Sequence, residues 1–174
     1  MPEGGKMLLN DGKLSVQGRN YLVREARIED LEQVIALMEQ DEIRRAEHSG
    51  AAGGPEHYLE AFGEIDADPA HALIVLEGEG GKIVGTMQLT TLPSLARRAA
   101  KRMQIEAVRV ASESRRSGLG TQMIRWAICD AEHKGISLIQ LTSDAQRQDA
   151  HRFYQRLGFI PSYVGFKMRL ATRP

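Results

Sequence analysis

Val108-Arg109-Val110-Ala111-Ser112-Glu113-Ser114-Arg115-Arg116-Ser117-Gly118-Leu119-Gly120 reads as the end of a strand, a short link and a glycine turn that opens a helix. Upstream, Ile105-Glu106-Ala107-Val108-Arg109-Val110 alternates apolar with polar, the period of a strand. Downstream, Met123, Ala127 and Ala131, with Ile124 and Ile128, make a helical apolar stripe that Lys134-Gly135 closes with a basic residue and a C-cap glycine. A strand that feeds a helix through Gly-x-Gly builds an anion site. The glycines let the backbone come close, N–H groups converge, and the helix dipole adds positive potential. Arg115 and Arg116 add full charges. The stretch lacks the Gly-Lys-Ser/Thr ending of a P-loop and the third glycine of the dinucleotide fingerprint.

The flanking sequence extends the same alternation of strands and helices. Residues 1–19 have no clear periodicity and are expected to form an extension with one short strand, ahead of a domain over 20–174. Tyr21-Leu22-Val23 is β-prone, and Leu31, Val34, Ile35 and Met38 follow at helical spacing behind the acidic turn Glu29-Asp30. A glycine-rich loop over 48–55 precedes a second helix from Glu56 to about Ile65. Ala72–Leu76 and Ile83–Leu89 read as a hairpin across Glu77–Lys82. Arg97, Arg98, Lys101 and Arg102 fall in a connection expected to be a solvated loop or a ligand contact. Leu138–Thr142 is a further strand. Ala150, Phe153, Tyr154 and Leu157 lie at i, i+3, i+4 and i+7 of a last helix, and Phe159-Ile160 with Tyr163–Leu170 can supply a closing hairpin. The element order predicts a single α/β domain with a mixed sheet.

The 174 residues include 23 Lys plus Arg and 23 Asp plus Glu, so no global basic field points to nucleic acid. No apolar run approaches a membrane span and the N-terminus lacks the apolar core of a signal peptide, which predicts a cytoplasmic protein with no membrane partner. Cys129, the one cysteine, stands in the apolar run Trp126-Ala127-Ile128 and is expected to be a buried structural thiol, although His133 lies one turn away. His48, His57 and His71 lack metal-ligand spacing. Asp41, Glu42, Arg44, Arg45 and Glu47 suit a solvated helix face.

Two motifs carry a resemblance. Arg115-Arg116-Ser117-Gly118-Leu119-Gly120 matches Arg/Gln-x-x-Gly-x-Gly/Ala, and Ala150-His151-Arg152-Phe153-Tyr154-Gln155-Arg156-Leu157-Gly158-Phe159 matches Ala-x-x-Phe-Tyr-x-x-x-Gly-Phe. With their separation and the element order, the chain from Tyr21 to Leu170 resembles the GCN5-related N-acetyltransferases. The resemblance implies a mixed sheet of about six to seven strands flanked by about four helices, with a V-shaped split between the fourth strand (the one entering the glycine loop) and the fifth. It implies acetyl-CoA as cosubstrate, with pantetheine along Val108-Arg109-Val110 and pyrophosphate on the amides of Arg115, Arg116, Ser117, Gly118, Leu119, Gly120 and Thr121. The family often places an asparagine at the start of the last helix. None stands here, and Ser143 or Arg147 is the candidate replacement. Members are often dimers, which makes a homodimer the expected assembly.

The implied chemistry is direct attack of a neutral amine on the thioester, which needs both substrates held in line and a route for two protons. Glu106 is the candidate base, with electrostatic binding of the amine as its other reading. Tyr154 fills the position where the family often keeps the acid for the leaving thiolate; the competing reading is a core tyrosine. His151 reads as a surface or structural histidine. The stretch from Leu141 to Tyr154 is similar to the aminoalkylphosphonate N-acetyltransferase subgroup, and Arg97 and Arg98 are candidates for holding an anionic acceptor. The expected activity is acetyl transfer to a primary amine of a small molecule. A protein N-acetyltransferase and a non-catalytic acetyl-CoA-binding regulatory module are the alternatives.

Overall fold

The computed structural model describes residues 12–40 and 54–168. The acidic–basic stretch from Asp41 to Glu47, His48, and the end of the expected closing hairpin lie outside them. The chain forms two compact units, Met1–Gln140 and Leu141–Pro174.

The first unit is built on a sheet whose strands follow chain order: β1 Lys13–Val16, β2 Arg19–Glu25, β3 His71–Glu77, β4 Ile83–Leu92, β5 Arg102–Val110 and β6 from Leu138. Strands β1 to β5 pair antiparallel. The glycine-loop strand is therefore fifth in this chain, because Lys13–Val16 adds a hairpin strand ahead of β2. β6 begins parallel to β5: Ser137 N donates to Lys101 O at 3.3 Å, and Gln140 reaches Arg102 and Gln104. Helix α1 (Leu31–Glu39) packs on β4 and β5, α2 (Pro55–Ala67) packs on β3, and α3 (Leu119–His133) crosses from β5 to β6. A single helical turn, Ala96–Ala99, sits in the arginine-containing connection.

The core follows the alternation. Ile74, Leu76, Met87, Leu89, Met103 and Ile105 are buried together with Met123, Ile124, Ala127 and Ala131 of α3. Each of these Ile, Leu and Met side chains contributes about 1.5–3 kcal/mol of hydrophobic stabilisation. Gly85 leaves room for Met123 of the helix: a Cβ there would lie 3.0 Å from Met123 Sδ and 3.3 Å from Arg109 O. The α3 stripe also settles Cys129, which is exposed rather than buried. The buried positions run 119, 123, 124, 126, 127, 130 and 131. At 100° per residue, Cys129 falls with Arg125 and Glu132 on the outer side. The inward place belongs to Asp130, 1% exposed, whose Oδ2 accepts from Lys134 at 2.6 Å.

A charged knot ties β2, β3 and the start of α1. Arg24 donates to both carboxylate oxygens of Asp30, at 2.6 and 2.9 Å, and through Nε to Glu77 at 2.8 Å. Asp30 also accepts from Arg27 N at 2.7 Å. The hydrogen bonds from Arg24 hold the Asp30 carboxyl below its usual range against the opposing effect of burial.

In the second unit, Leu141 ends β6, and Asp144 Oδ1 accepts from Gln146 N in a turn that leads to α4 (Gln148–Arg156). The helix ends at Gly158, φ 93°. No strand follows over 159–168, where Ile160, Val164, Phe166 and Met168 are 79–93% exposed. The closing hairpin expected there is absent from the described residues. Pro161 has no N–H to donate, and Gly165 interrupts the β-branched and aromatic run.

Candidate active site: a bulged strand feeding an anion turn

β5 carries a β-bulge where its chemistry changes. Thr86 faces Arg109 and Gln88 faces Glu106, so Met87 alone stands opposite two residues, Ala107 and Val108. Ala107 takes φ 52°, the left-handed region. Beyond the bulge the strand keeps one edge on β4: Ala111 N donates to Val84 O at 2.9 Å. Across each planar trans peptide, C=O and N–H point in opposite directions. The carbonyl of Val110 therefore points away from β4, and by the two-residue repeat so does that of Val108. β6 does not reach this far, because it has four residues and its contacts lie at Lys101, Arg102 and Gln104. The outward carbonyls take side chains instead: Arg109 Nη1 donates to Val108 O at 2.8 Å, and Arg115 Nε donates to Val110 O at 3.1 Å. The expected split thus lies between β5 and β6, with an open strand edge along it.

That edge runs straight into the glycine turn. A short 3-10 turn, Ser112–Ser114, is fastened at two points. Lys82 Nζ donates to Glu113 Oε1 at 2.6 Å, and Gln40 Oε1 accepts from Ser112 N at 3.3 Å. The Lys82 hydrogen bond, helped by Glu113's own backbone N–H, pushes the Glu113 carboxyl down to about 2. Ser117 Oγ donates to Ser114 O at 2.7 Å and accepts from Leu119 N at 3.2 Å. Arg116 at φ 62° and Gly118 at φ 94° flank Ser117, an alternation that turns successive N–H groups inward. Gly118 is the N-cap of α3, and Gln122 N is the N–H that closes back on Gly118 O. Helix geometry leaves the N–H groups of Gly120 and Thr121 without an intrahelical carbonyl. Arg115 and Arg116 are exposed beside them. Pyrophosphate fits this site: it has uncommitted helix N–H groups, a nest, and two guanidinium groups.

Glu106 lies one step before the bulge, exposed, opposite Gln88. Its face of β5 also carries Gln104 and Arg102, because Met103 and Ile105 take the buried side. Arg102 thus belongs to the strand, not to the loop in which its sequence neighbours suggested it would fall. Arg98 is exposed, on the helical turn.

Tyr154 stands half-buried on α4, edge-to-face with Phe153 at 5.1 Å and Phe159 at 5.8 Å between ring centroids. Ser143 and Arg147 are half-buried in the segment leading to that helix. His151 Nε2 donates to Asp144 O at 2.8 Å, a structural bond of this second unit. Sequence reasoning missed the bulge and the Arg102–Gln140–Gln104 chain. The alternation that reveals the latter begins at Arg102, three residues before the apparent start of the strand.

An open strand edge that continues into an anion-binding turn and helix is the construction of an α/β protein that holds a long phosphorylated cofactor. A model of the Acetyltransferase (GNAT) family matches residues 34–159, and the chain belongs to that family. It is similar to a crystal structure from Bacillus halodurans C-125 described as a transcriptional regulator, with 41% identity and a TM-score of 0.79 over 86% of this chain and 99% of that one. It is also 34% identical over 67 residues to aminoalkylphosphonate N-acetyltransferase of Salmonella typhimurium, covering 38% of this chain and 44% of that protein. Rat N-acetyltransferase family 8 member 3 is 29% identical over 132 residues, covering 73% of this chain and 53% of that protein. The chain spans about half the length of these curated relatives. Among the described residues, no helix is long and apolar enough to cross a membrane.

Proposed function

We propose that the chain transfers the acetyl group of acetyl-CoA to a primary amine of a small molecule, in a ternary complex and within the cytoplasm. The observation that carries this reading is the Val108–Val110 edge, which lies past the bulge at Ala107 and beyond the reach of β6, just where β5 runs into the Gly118 turn. In this reading Val108 and Val110 pair with pantetheine, and the Arg115–Thr121 turn holds the pyrophosphate through the amides it does not use itself, since Arg115 N donates to Ser112 O at 3.3 Å and Leu119 N to Ser117 Oγ at 3.2 Å. Acetyl-CoA supplies the acyl carbonyl and the thiol leaving group. Glu106 receives a proton from the acceptor ammonium, directly or through water, which leaves the amine lone pair free to form the C–N bond as the C–S bond breaks. Tyr154 gives a proton to the departing sulfur, and the proton that the attacking nitrogen sheds as the amide forms is passed through solvent to restore the phenol, so the products are the neutral amide and the free thiol. Ser143 and Arg147 are proposed to take the cofactor contact that the family's asparagine makes.

The test is thiol release from acetyl-CoA over a panel of amines, amino acids, polyamines, aminophosphonates and aminoglycosides. Turnover dependent on one amine class supports the reading, and tight acetyl-CoA binding without turnover on any amine overturns it. One observation favours a second reading: the Bacillus halodurans structure at 41% identity is described as a transcriptional regulator. A regulatory module of that kind would bind acetyl-CoA and transfer it to nothing. A chain that acetylates peptides but no small amine would instead be a protein acetyltransferase.

A further inference from the structure

If acetyl-CoA lies along Val108–Val110 as proposed, its parts and the acceptor's fall in one line along β5. The phosphate turn is at one end. The pantetheine edge precedes it in the chain, the bulge and Glu106 come before that, and the same face continues through Gln104 to Arg102. An acceptor whose amine meets the thioester near Glu106 has its remaining atoms over Gln104 and Arg102. At about 3.3 Å per residue the Cα atoms of Glu106 and Arg102 are about 13 Å apart, and both side chains can close part of that span.

Arg102 is half-buried and held in place by neutral groups alone. Its Nη1 donates to Gln140 Oε1 at 3.3 Å, and Gln140 Nε2 donates to Gln104 Oε1 at 2.7 Å. Its Nε is buried without a hydrogen-bond partner, and no ion pair among the described residues includes it. Arg24, another shielded guanidinium, has two carboxylates around it. A shielded cation without a counter-ion is costly, and a ligand anion removes that cost. The two-amide chain fixes the guanidinium beside the path rather than neutralising it.

We infer that Arg102 binds an anionic group of the acceptor. The substrate is then an amine that carries a carboxylate, phosphate or phosphonate several bonds from its nitrogen. The inference rests on the proposed donor site, so CoA binding is titrated first. Matched pairs are then titrated calorimetrically against the CoA-loaded protein: ω-amino acids of three to seven carbons with their carboxamides, and aminoalkylphosphonates and aminoalkyl phosphates with the corresponding amino alcohols. The expected result is about tenfold or greater preference for the anion over its neutral match. The anionic series with the greatest preference identifies the group. Arg102→Gln should abolish the preference while leaving CoA affinity unchanged, and Arg102→Lys should keep part of it. Equal binding of acid and amide, or a preference that survives Arg102→Gln, overturns the assignment. Failure of the protein to bind CoA at all is a different result: it removes the donor reading and this inference with it.

Discussion

Arg109 occupies a carbonyl that the donor is expected to need. Its guanidinium donates to Val108 O at 2.8 Å, on the edge proposed for pantetheine. A hydrogen bond from a charged donor is worth about 1.5–3 kcal/mol when well shielded, and Arg109 is half-buried, so about 1 kcal/mol is a fair value for this one. Pantetheine must displace that bond to pair with the strand, so the bond is subtracted from the donor's binding energy. Arg109→Gln shortens the side chain and removes the charge, and CoA should then bind about fivefold more tightly. Calorimetry with CoA and with adenosine 3′,5′-bisphosphate, which has phosphates but no pantetheine, separates the effects. The nucleotide should bind both proteins alike. The reasoning fails if both ligands weaken together, since Arg109 would then be a phosphate ligand, or if CoA affinity is unchanged.

The remaining predictions concern the turn, the proton route and the charged knot. Gly118→Ala forces a β-carbon into φ 94°, at a cost of about 1–2 kcal/mol, and should weaken CoA binding by about tenfold or lower the melting temperature by several degrees. Neither change would mean that the turn tolerates a side chain and that close backbone approach is not its purpose. Tyr154→Phe should lower kcat by about 10²-fold with KM for acetyl-CoA nearly unchanged, and wild-type turnover would remove its acid role. Glu106→Gln should shift the acid limb of the kcat/KM profile, whereas an identical limb assigns the base elsewhere. Asp30 titrates lower in the folded protein than in the unfolded chain, so its stabilisation is fully present above about pH 4 and is lost as pH falls further. Asp30→Asn should cost about 2–3 kcal/mol at pH 7 and flatten melting temperature against pH below 4, read by circular dichroism.

The order of elements was legible because each long element has an unmixed period. α3 shows its apolar stripe at Met123, Ala127 and Ala131, and β3 is a continuous apolar run. The phosphate turn was legible for a similar reason: Gly118 stands where its backbone must turn left-handed. The bulge was not, since Ala107 is an ordinary strand residue whose φ comes from pairing with β4 rather than from its own chemistry. Cys129 was misread because three apolar neighbours in a row, Trp126, Ala127 and Ile128, conceal a face that changes by 100° per residue. The knot of Arg24, Asp30 and Glu77 joins residues up to 53 apart in the chain, and no local pattern marks such a meeting. The hairpin expected over 159–168 shows the converse: its apolar and aromatic residues favour strand, while Pro161 and Gly165 break the run.

Cys129 projects from α3 about 15 Å along the helix axis from Leu119, where the phosphate turn ends. As the chain's one thiol, it offers a single attachment point for a fluorophore without any substitution. Such a dye would sit on the helix whose first turn is proposed to receive the pyrophosphate, near enough to report its arrival and off the donor's path. The same exposure sets a rule for colorimetric thiol assays: the protein itself will consume one equivalent of reagent per chain before any product is counted. A labelled or alkylated sample removes that background, and a preparation whose initial burst exceeds one equivalent already carries bound thiol.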